Sequence, residues 1–436
     1  METVIDNTTV KKYPAYKDSG VEWIEDVPSH WEVKKFKRVF YEIKKRSNPE
    51  LNCGSISFGK VVYKDDEKIP ESTKRSYQVV QKGDFLVNPL NLNYDLISLR
   101  IALSDIDVVV SSGYIVLSNS VKLDKTYYKY FLHRFDVAFM KLLGSGVRQT
   151  LNWNDIANCD LVFPPLPEQT AIAQFLDRKT ALIDQAIGIK QKQIELLKER
   201  RQILIHKAVT RGLNPNVKMK DSGVEWIGEV PEGWEVKKLR YVANCFPSNV
   251  DKHSKPNEKE VRLCNYTDVY KNDYITDDME LMIATASDEQ IAKFTLKEGD
   301  IVITKDSETA SDIAVPTFIK EELTNVVCGY HLAVIRTYHD SYSKYLFQAL
   351  KTKLFNAQFE VCSNGITRVG LGNSDLKNGY FLLPPKQEQN EIAEFIEKGV
   401  SQIATAISLK EQEIEKIKEY KAALINSAVT GKIKVC

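Results

Sequence analysis

The sequence predicts an α+β protein written twice: two globular domains held apart by an antiparallel coiled coil of two long helices, in a pseudo-two-fold internal repeat. Three observations predict it. Asp18-Ser19-Gly20-Val21-Glu22-Trp23-Ile24 recurs as Asp221-Ser222-Gly223-Val224-Glu225-Trp226-Ile227, and each copy runs on to Trp-Glu-Val-Lys-Lys, at Trp31 to Lys35 and Trp234 to Lys238. A second shared box, Pro164-Pro165-Leu166-Pro167-Glu168-Gln169 against Pro384-Pro385-Lys386-Gln387-Glu388-Gln389, closes each globular segment. A heptad-like stretch then ends in Ala208-Val209-Thr210 or Ala428-Val429-Thr430. A long repeat occurring only twice argues for two equivalent working ends rather than one active site.

The spacing between copies locates what is common and what is not. It is 203 residues at the opening box (18 to 221), 216 at the Gly-Asp strand (83 to 299) and still 216 at Gly113-Tyr114 against Gly329-Tyr330. It reaches 220 at the Pro-Pro box (164 to 384) and stays there to the terminal Ala-Val-Thr (208 to 428). The helices match without gaps and the insertions fall inside the globular segments, so one scaffold carries two different domains. The expected boundaries are a first domain over 1–165, a helix over 166–213, a second domain over 214–385 and a helix over 386–436. Within the domains, short β runs (Asp107 to Leu117, Asn325 to Arg336) mix with amphipathic helical pieces (Tyr127 to Leu143, Ser343 to Phe359). The paired tryptophans, Trp23 with Trp226 and Trp31 with Trp234, suit a shared packing nucleus better than base stacking.

Each helix is announced by its box. Pro167 and Pro385 stiffen the approach, and Glu168 or Glu388 complements the positive end of the helix dipole. In the second copy Ile396, Val400, Ile403, Ile407, Ile414, Ile417, Leu424 and Ala428 fall on steps of three and four, a coiled-coil seam. The same seam lies 220 residues earlier at Leu176, Thr180, Ile183, Ile187, Ile194, Leu197, Leu204 and Ala208. Skipped seam positions are basic in both copies, Lys190 with Lys410 and Arg201 with Lys421, and suit either a register-fixing device or a solvated notch. Helices of roughly forty residues are about 60 Å long. Each domain precedes its own helix, so antiparallel pairing places the domains at opposite ends. Residues 211–220, with Gly212 and Pro215, then lead into the second domain.

Composition bounds the function. With 43% hydrophobic and 27% charged residues the chain has the make-up of a soluble protein. It contains no run of about eighteen apolar residues, and Met1 to Lys12 lacks an apolar signal core. Seven cysteines without a CxxC pair read as reduced thiols in a cytoplasm, with neither a disulfide framework nor a zinc site. Residues 31–165 carry 20 Lys and Arg against 15 Asp and Glu, a net +5; residues 234–385 carry 18 against 21, a net −3. A dedicated duplex binder usually shows a stronger positive footprint, so a nucleic-acid ligand requires local charge or partners that share the phosphate contacts. The densest basic run, Lys34, Lys35, Lys37, Arg38, Lys44, Lys45 and Arg46, is equally a solvated flank.

Catalytic signatures are missing. There is no GxxxxGK[ST], HExxH or GxGxxG. Asn88-Pro89-Leu90 and Phe163-Pro164-Pro165-Leu166 each lack part of the amino-methyltransferase Asn/Asp-Pro-Pro-aromatic motif. None of the six histidines recurs in both halves; His331 reads as a core or surface histidine. What recurs is a Gly-containing polar turn carrying arginine: Ser145-Gly146-Val147-Arg148-Gln149 and Asn364-Gly365-Ile366-Thr367-Arg368. Arg and Gln present forked donors that match guanine and adenine edges in the major groove. The candidate DNA contacts are therefore Arg148, Gln149, Lys74 and Arg75 in the first half, and Arg368, Asn373, Lys305 and Ser307 in the second. The bland alternatives are pairing of the arginines with nearby carboxylates and a helix-capping role for Asn152.

Taken together, the paired DSGVEWI…VP…W boxes, the paired PPLPEQ and PPKQEQ boxes and the AVT endings make the chain resemble, over essentially its whole length, the specificity subunit of a type I restriction–modification enzyme. The resemblance implies two target-recognition domains, each reading one half of an asymmetric, bipartite double-stranded DNA site, with the helices as a ruler. It implies that the helices dock two modification subunits that bring S-adenosylmethionine, and that two restriction subunits bring ATP and Mg²⁺; this chain itself would hold no cofactor, no metal and no catalytic residue. Lys386-Gln387 in place of Leu166-Pro167 makes the second helix entry less rigid. A non-enzymatic coiled-coil adaptor with protein-binding ends accounts for the heptads but not for two differently elaborated domains. A self-contained enzyme lacks its motifs.

Overall fold

The computed structural model describes residues 11–65, 67, 69–90, 99–140 and 151–435, with backbone only at 340 and 341. The chain forms two compact units: one joins the sequence up to Gln191 with that from Glu411 onward, the other is Lys192–Lys410. Each unit thus holds a globular head and part of both long helices, Leu166–Arg211 and Lys386–Val429.

Within each unit the two helices pack antiparallel. In the first, Asp184 meets Lys421 and Lys190 meets Glu413, so numbers fall on one helix as they rise on the other. In the second, Leu204 lies against Gly399, and Gly212, just past the first helix, lies beside Glu388 at the start of the second. The seam residues Leu176, Ile183, Ile194, Ile396, Ile403 and Ile414 are buried, and Ile187, Leu197, Leu204, Ile407, Ile417 and Leu424 are half-buried. Lys190 reaches its carboxylate at 2.5 Å and Lys421 at 2.6 Å, so these basic seam positions are ion-paired rather than solvated notches.

The repeated boxes are the joints of this frame. Asp18 and Ser19 turn back to accept from Gly20 N (2.8 Å) and Val21 N (3.1 Å); Asp221 and Ser222 do the same for Gly223 N and Val224 N. That turn needs φ of +69° at Gly20 and +72° at Gly223, a region that favours glycine. The wholly buried indoles of Trp31 and Trp234 donate to Glu168 and Glu388, each at 3.0 Å. Gln169 and Gln389 donate to the carbonyls of Pro164 and Pro384 in their own boxes. The Ala-Val-Thr endings close the circuit: Tyr127 OH donates to Val429 O (2.8 Å) and Tyr345 OH to Val209 O (3.1 Å), so each head holds the end of the other half's helix. Every box is therefore spent on structure, and what distinguishes the heads lies between the boxes.

The first head is built on a four-stranded antiparallel sheet ordered Phe40–Glu42, Ile115–Asn119, Phe85–Val87, Ile101–Leu103. The helix Lys125–Ala138, N-capped by Asp124, packs its Tyr127, Tyr128, Phe131 and Phe135 into the same core as Phe36, Phe40 and Phe85. The second head has five strands ordered Ala243–Pro247, Leu332–Thr337, Ile301–Thr304, Pro316–Ile319, Tyr274–Ile275. Beside them is a three-stranded sheet, Met282–Ala286, Lys259–Cys264 and Val326–Cys328.

Two expectations need correction. The β runs 107–117 and 325–336 are each two strands, because Gly113-Tyr114 and Gly329-Tyr330 lie in connections between them. The helical piece 343–359 is two helices, Asp340–Leu350 and Lys353–Cys362, interrupted at Lys351-Thr352, where Thr352 Oγ1 donates back to Ala349 O. Its first-half counterpart ends at Ala138, and residues 141–143 lie outside the described residues.

Candidate nucleic-acid interface

In the second head, the strand Ile301–Thr304 runs into Lys305 and then Asp306–Ser307, which pairs antiparallel with Val369–Gly370. Asn364 and Gly370 exchange backbone hydrogen bonds of 3.1 and 2.9 Å, closing a loop that carries Ile366 and Arg368. Gly365 at φ +149° lets that loop close: a Cβ there would lie 1.9 Å from Arg368 O. Ile366 stands fully exposed and Arg368 is exposed beside it.

Arg368 does not pair with a carboxylate in the described hydrogen bonds. Its Nη1 lies 3.0 Å from His331 Nε2, His331 Nδ1 lies 3.2 Å from Asp306 Oδ2, and Lys305 Nζ lies 2.8 Å from the same oxygen. A guanidinium only donates, so Nε2 accepts and the ring proton sits on Nδ1, donating to Asp306. The ring is neutral. Burial lowers its pKa, the Asp306 hydrogen bond opposes that, and the Arg368 charge adds to the lowering. Tyr330 lies against the ring at 3.6 Å between centroids. Buried Ser307 shares a 3.0 Å hydrogen bond with Tyr266, whose ring stacks on Tyr270.

This constellation suits recognition rather than catalysis. The Asp306–His331 pair resembles half of a nucleophile-activating triad, yet Nε2 is occupied by Arg368 and Ser307 bonds elsewhere. Burial also pushes Cys159 up to about 11 and Cys245 up to about 12, away from reactive thiolates. Among the described residues no group of three or more His, Cys, Asp or Glu is placed to hold a metal ion. What the site offers is cationic donors, Lys305 and Arg368, flanked by tyrosines.

The structure thus brings Lys305, Ser307 and Arg368 together at one pair of strands, Ser307 within it and Lys305 and Arg368 each just before one of its strands. Asn373 instead opens the helix Asn373–Asn378, half-buried, its Oδ1 without a hydrogen-bond partner among the described residues. In the first head, Lys74 ends the one-turn helix Glu71–Lys74, and Arg75, just beyond it, pairs with Glu71 at 2.7 Å. Arg148 and Gln149 lie outside the described residues. Asn152 does cap a helix, in a reciprocal box with Asp155. Four members of the basic run are engaged: Lys34 with Glu32, Lys35 with Asp160, Lys37 with Asn158 and Lys45 with Ser112 O.

Sequence reasoning missed His331 as a member of this site. The spacing shows only that four residues are added somewhere between the Gly-Tyr pair and the Pro-Pro box. Strand register pairs Phe85 with Leu117 and Ile301 with Ile335, which makes the offset 218 at the second strand of each pair, against 216 at Gly-Tyr. The second half therefore has two more residues just after Tyr330, where His331 stands.

An internally repeated α+β scaffold with two unlike heads and a donor-rich, non-catalytic surface defines a recognition subunit. The family described as the type I restriction modification DNA specificity domain matches residues 28–199 and 231–419, and the chain belongs to it. It is a specificity subunit, the non-catalytic part of a type I restriction–modification enzyme. The putative type I restriction enzyme MjaX specificity subunit of Methanocaldococcus jannaschii is 24% identical, over 96% of this chain and 98% of its own. The EcoKI specificity subunit of Escherichia coli K12 is 25% identical over 58% of this chain and 54% of its own. The crystal structure of the HsdS subunit from Thermoanaerobacter tengcongensis shares the fold, with a TM-score of 0.53 at 16% identity, over 93% of this chain and 98% of that one. A chain from a type I restriction–modification assembly superposes with a TM-score of 0.68 at 14% identity, over 92% of this chain and 98% of that one.

Proposed function

We propose that the two heads, residues 1–165 and 214–385, each read one half of an asymmetric bipartite DNA site, and that the helices over 166–213 and 386–436 set the spacing between the halves. The observation that carries this reading is the division of labour in the repeat: the boxes are shared and structural, while the segments between them differ. Arg368 and Lys305 are the second head's candidate contacts, with Ser307, buried against Tyr266, in support and Asn373 beyond them; Lys74, Arg75, Arg148 and Gln149 are the first head's. Arg368 offers the forked donor that matches guanine O6 and N7.

The helices are proposed to dock two modification subunits. In support, the first helix exposes Leu182 and Ile189 in one unit and Leu196 and Ile203 in the other, each at 45–53% relative exposure and seven residues from the next. In the first unit Leu182, Ile189, Ile183 and Tyr420 line a groove of about 200 Å³, suited to the apolar face of a partner helix. S-adenosylmethionine would then enter with the modification subunits, and ATP and Mg²⁺ with two restriction subunits, in the cytoplasm. Among the described residues no helix is long and apolar enough to cross a membrane.

The test is Arg368→Ala in the complete complex, with the modified sequence mapped. Loss of base preference in one half-site with the other half unchanged supports the reading; uniform loss in both halves overturns direct reading by Arg368.

A further inference from the structure

We propose that His331 is a positioning residue for base reading by the second head: its neutral ring, oriented by Asp306, holds the Arg368 guanidinium in its reading pose and releases it on protonation. This rests on the reading that Arg368 meets DNA. An exposed arginine samples many rotamers, and a reading pose must be selected from them before or during binding. Here the selection is built in. The His331 carbonyl accepts from Lys305 N (2.8 Å) and Asp306 N (3.3 Å), its ring is tied at Nδ1 to Asp306, and Tyr330 covers it. The adjoining strand Leu332–Thr337 lies between two neighbours in the five-stranded sheet, so the anchor is rigid where the arginine is not.

The arrangement works in one protonation state only. Nε2 can accept from Arg368 while it carries no proton; once protonated it is a second donor facing a cation, and the bond is lost. The titratable and charged groups facing the ring are Lys305 and Asp306 from the strand below, Arg368 from the opposing loop and Tyr330 from its own segment. Asp306 favours the protonated ring, while Lys305 and Arg368 disfavour it alongside burial. Release therefore falls on the acid side of an ordinary histidine. The first half has Ile115 at the position after its Gly-Tyr pair, so the proton sensitivity belongs to one half-site and the other serves as an internal control.

The experiment uses the full chain assembled with its modification subunit, selecting by binding from duplex pools randomised in one half-site at a time. Parent protein should lose enrichment for the second head's half-site severalfold, by less than about tenfold, between about pH 7.5 and about pH 5.5, with the other half-site unchanged. His331→Gln, whose amide can accept from Arg368 and donate to Asp306 without titrating, should keep the enrichment and flatten its pH dependence. His331→Phe should lose it at both pH values while melting like the parent. Equal enrichment by parent and His331→Phe, or a parent ratio that does not move with pH, overturns the proposal. Nitrogen-15 NMR of the imidazole, assigned by difference from His331→Gln, should show the Nδ1–H tautomer at neutral pH; the Nε2–H tautomer overturns it independently of DNA. If Arg368→Ala leaves enrichment intact while the tautomer is as expected, the reading role of Arg368 has failed, not the tether.

Discussion

The indole of Trp31 and the carboxylate of Glu168 explain why two boxes more than a hundred residues apart recur together: one is the donor and the other the acceptor of a partly buried hydrogen bond. Removing the carboxylate charge strands a wholly buried N–H opposite a weaker acceptor. Glu168→Gln or Glu388→Gln should each cost about 1.5–3 kcal/mol, read by urea denaturation of the full chain. Burial alone would raise the Glu168 carboxyl, but hydrogen bonds from Trp31, His30 and Tyr13 outweigh it and hold the group below its ordinary value. That contribution is present above the ordinary carboxylate range and disappears as pH falls through the lowered value. His133 is acid-labile by another route. Burial pushes it down to about 4, so the unfolded chain binds the proton first and stability falls as pH drops from about 6.5 towards about 4. His133→Leu should flatten the melting temperature across that window. The sequence showed the tryptophans as packing residues but read Glu168 only against a helix dipole, since no periodicity links a donor to an acceptor 137 positions away.

Among the elements, the long helices were the most legible, because a heptad seam is a local pattern repeated many times. The sixteen seam positions named from the sequence are all buried or half-buried. The basic interruptions at Lys190 and Lys421 could not be resolved from one helix of the pair, since their partners Glu413 and Asp184 come from the opposing helix. Lys190→Met leaves Glu413 partly buried without this cation, whereas Lys190→Met with Glu413→Leu removes both charges. The single variant should lose up to about 3 kcal/mol and the double variant much less, by thermal melting. The exposed stripe makes a different prediction: Leu196→Lys should leave the melting temperature unchanged and weaken capture of the modification subunit in co-purification. Inside the heads the sequence was less informative. Strands of three to six residues carry little periodicity. Thr352, the helix break, and the two residues added after Tyr330 are visible only in backbone hydrogen bonding and register.

For the whole molecule, the repeat was the decisive signal, and it conveyed organisation better than contacts. Boxes, helices and their order could be placed from residues alone, whereas the site that joins Lys305, His331 and Arg368 depends on strand pairing between segments more than sixty residues apart. On the proposed reading, the modest net charge of +1 fits phosphate contacts shared with the modification subunits. If the helices set spacing, inserting the same whole number of turns into both should lengthen the spacer of the recognised sequence and leave the two half-sites unchanged. The most direct test of the central claim, two heads reading two half-sites, is a methylome map of a methyl-deficient host expressing this chain with its modification subunit. A split motif with a modified adenine in each half is the expected result. An uninterrupted motif, or no modification by a demonstrably soluble complex, would contradict it.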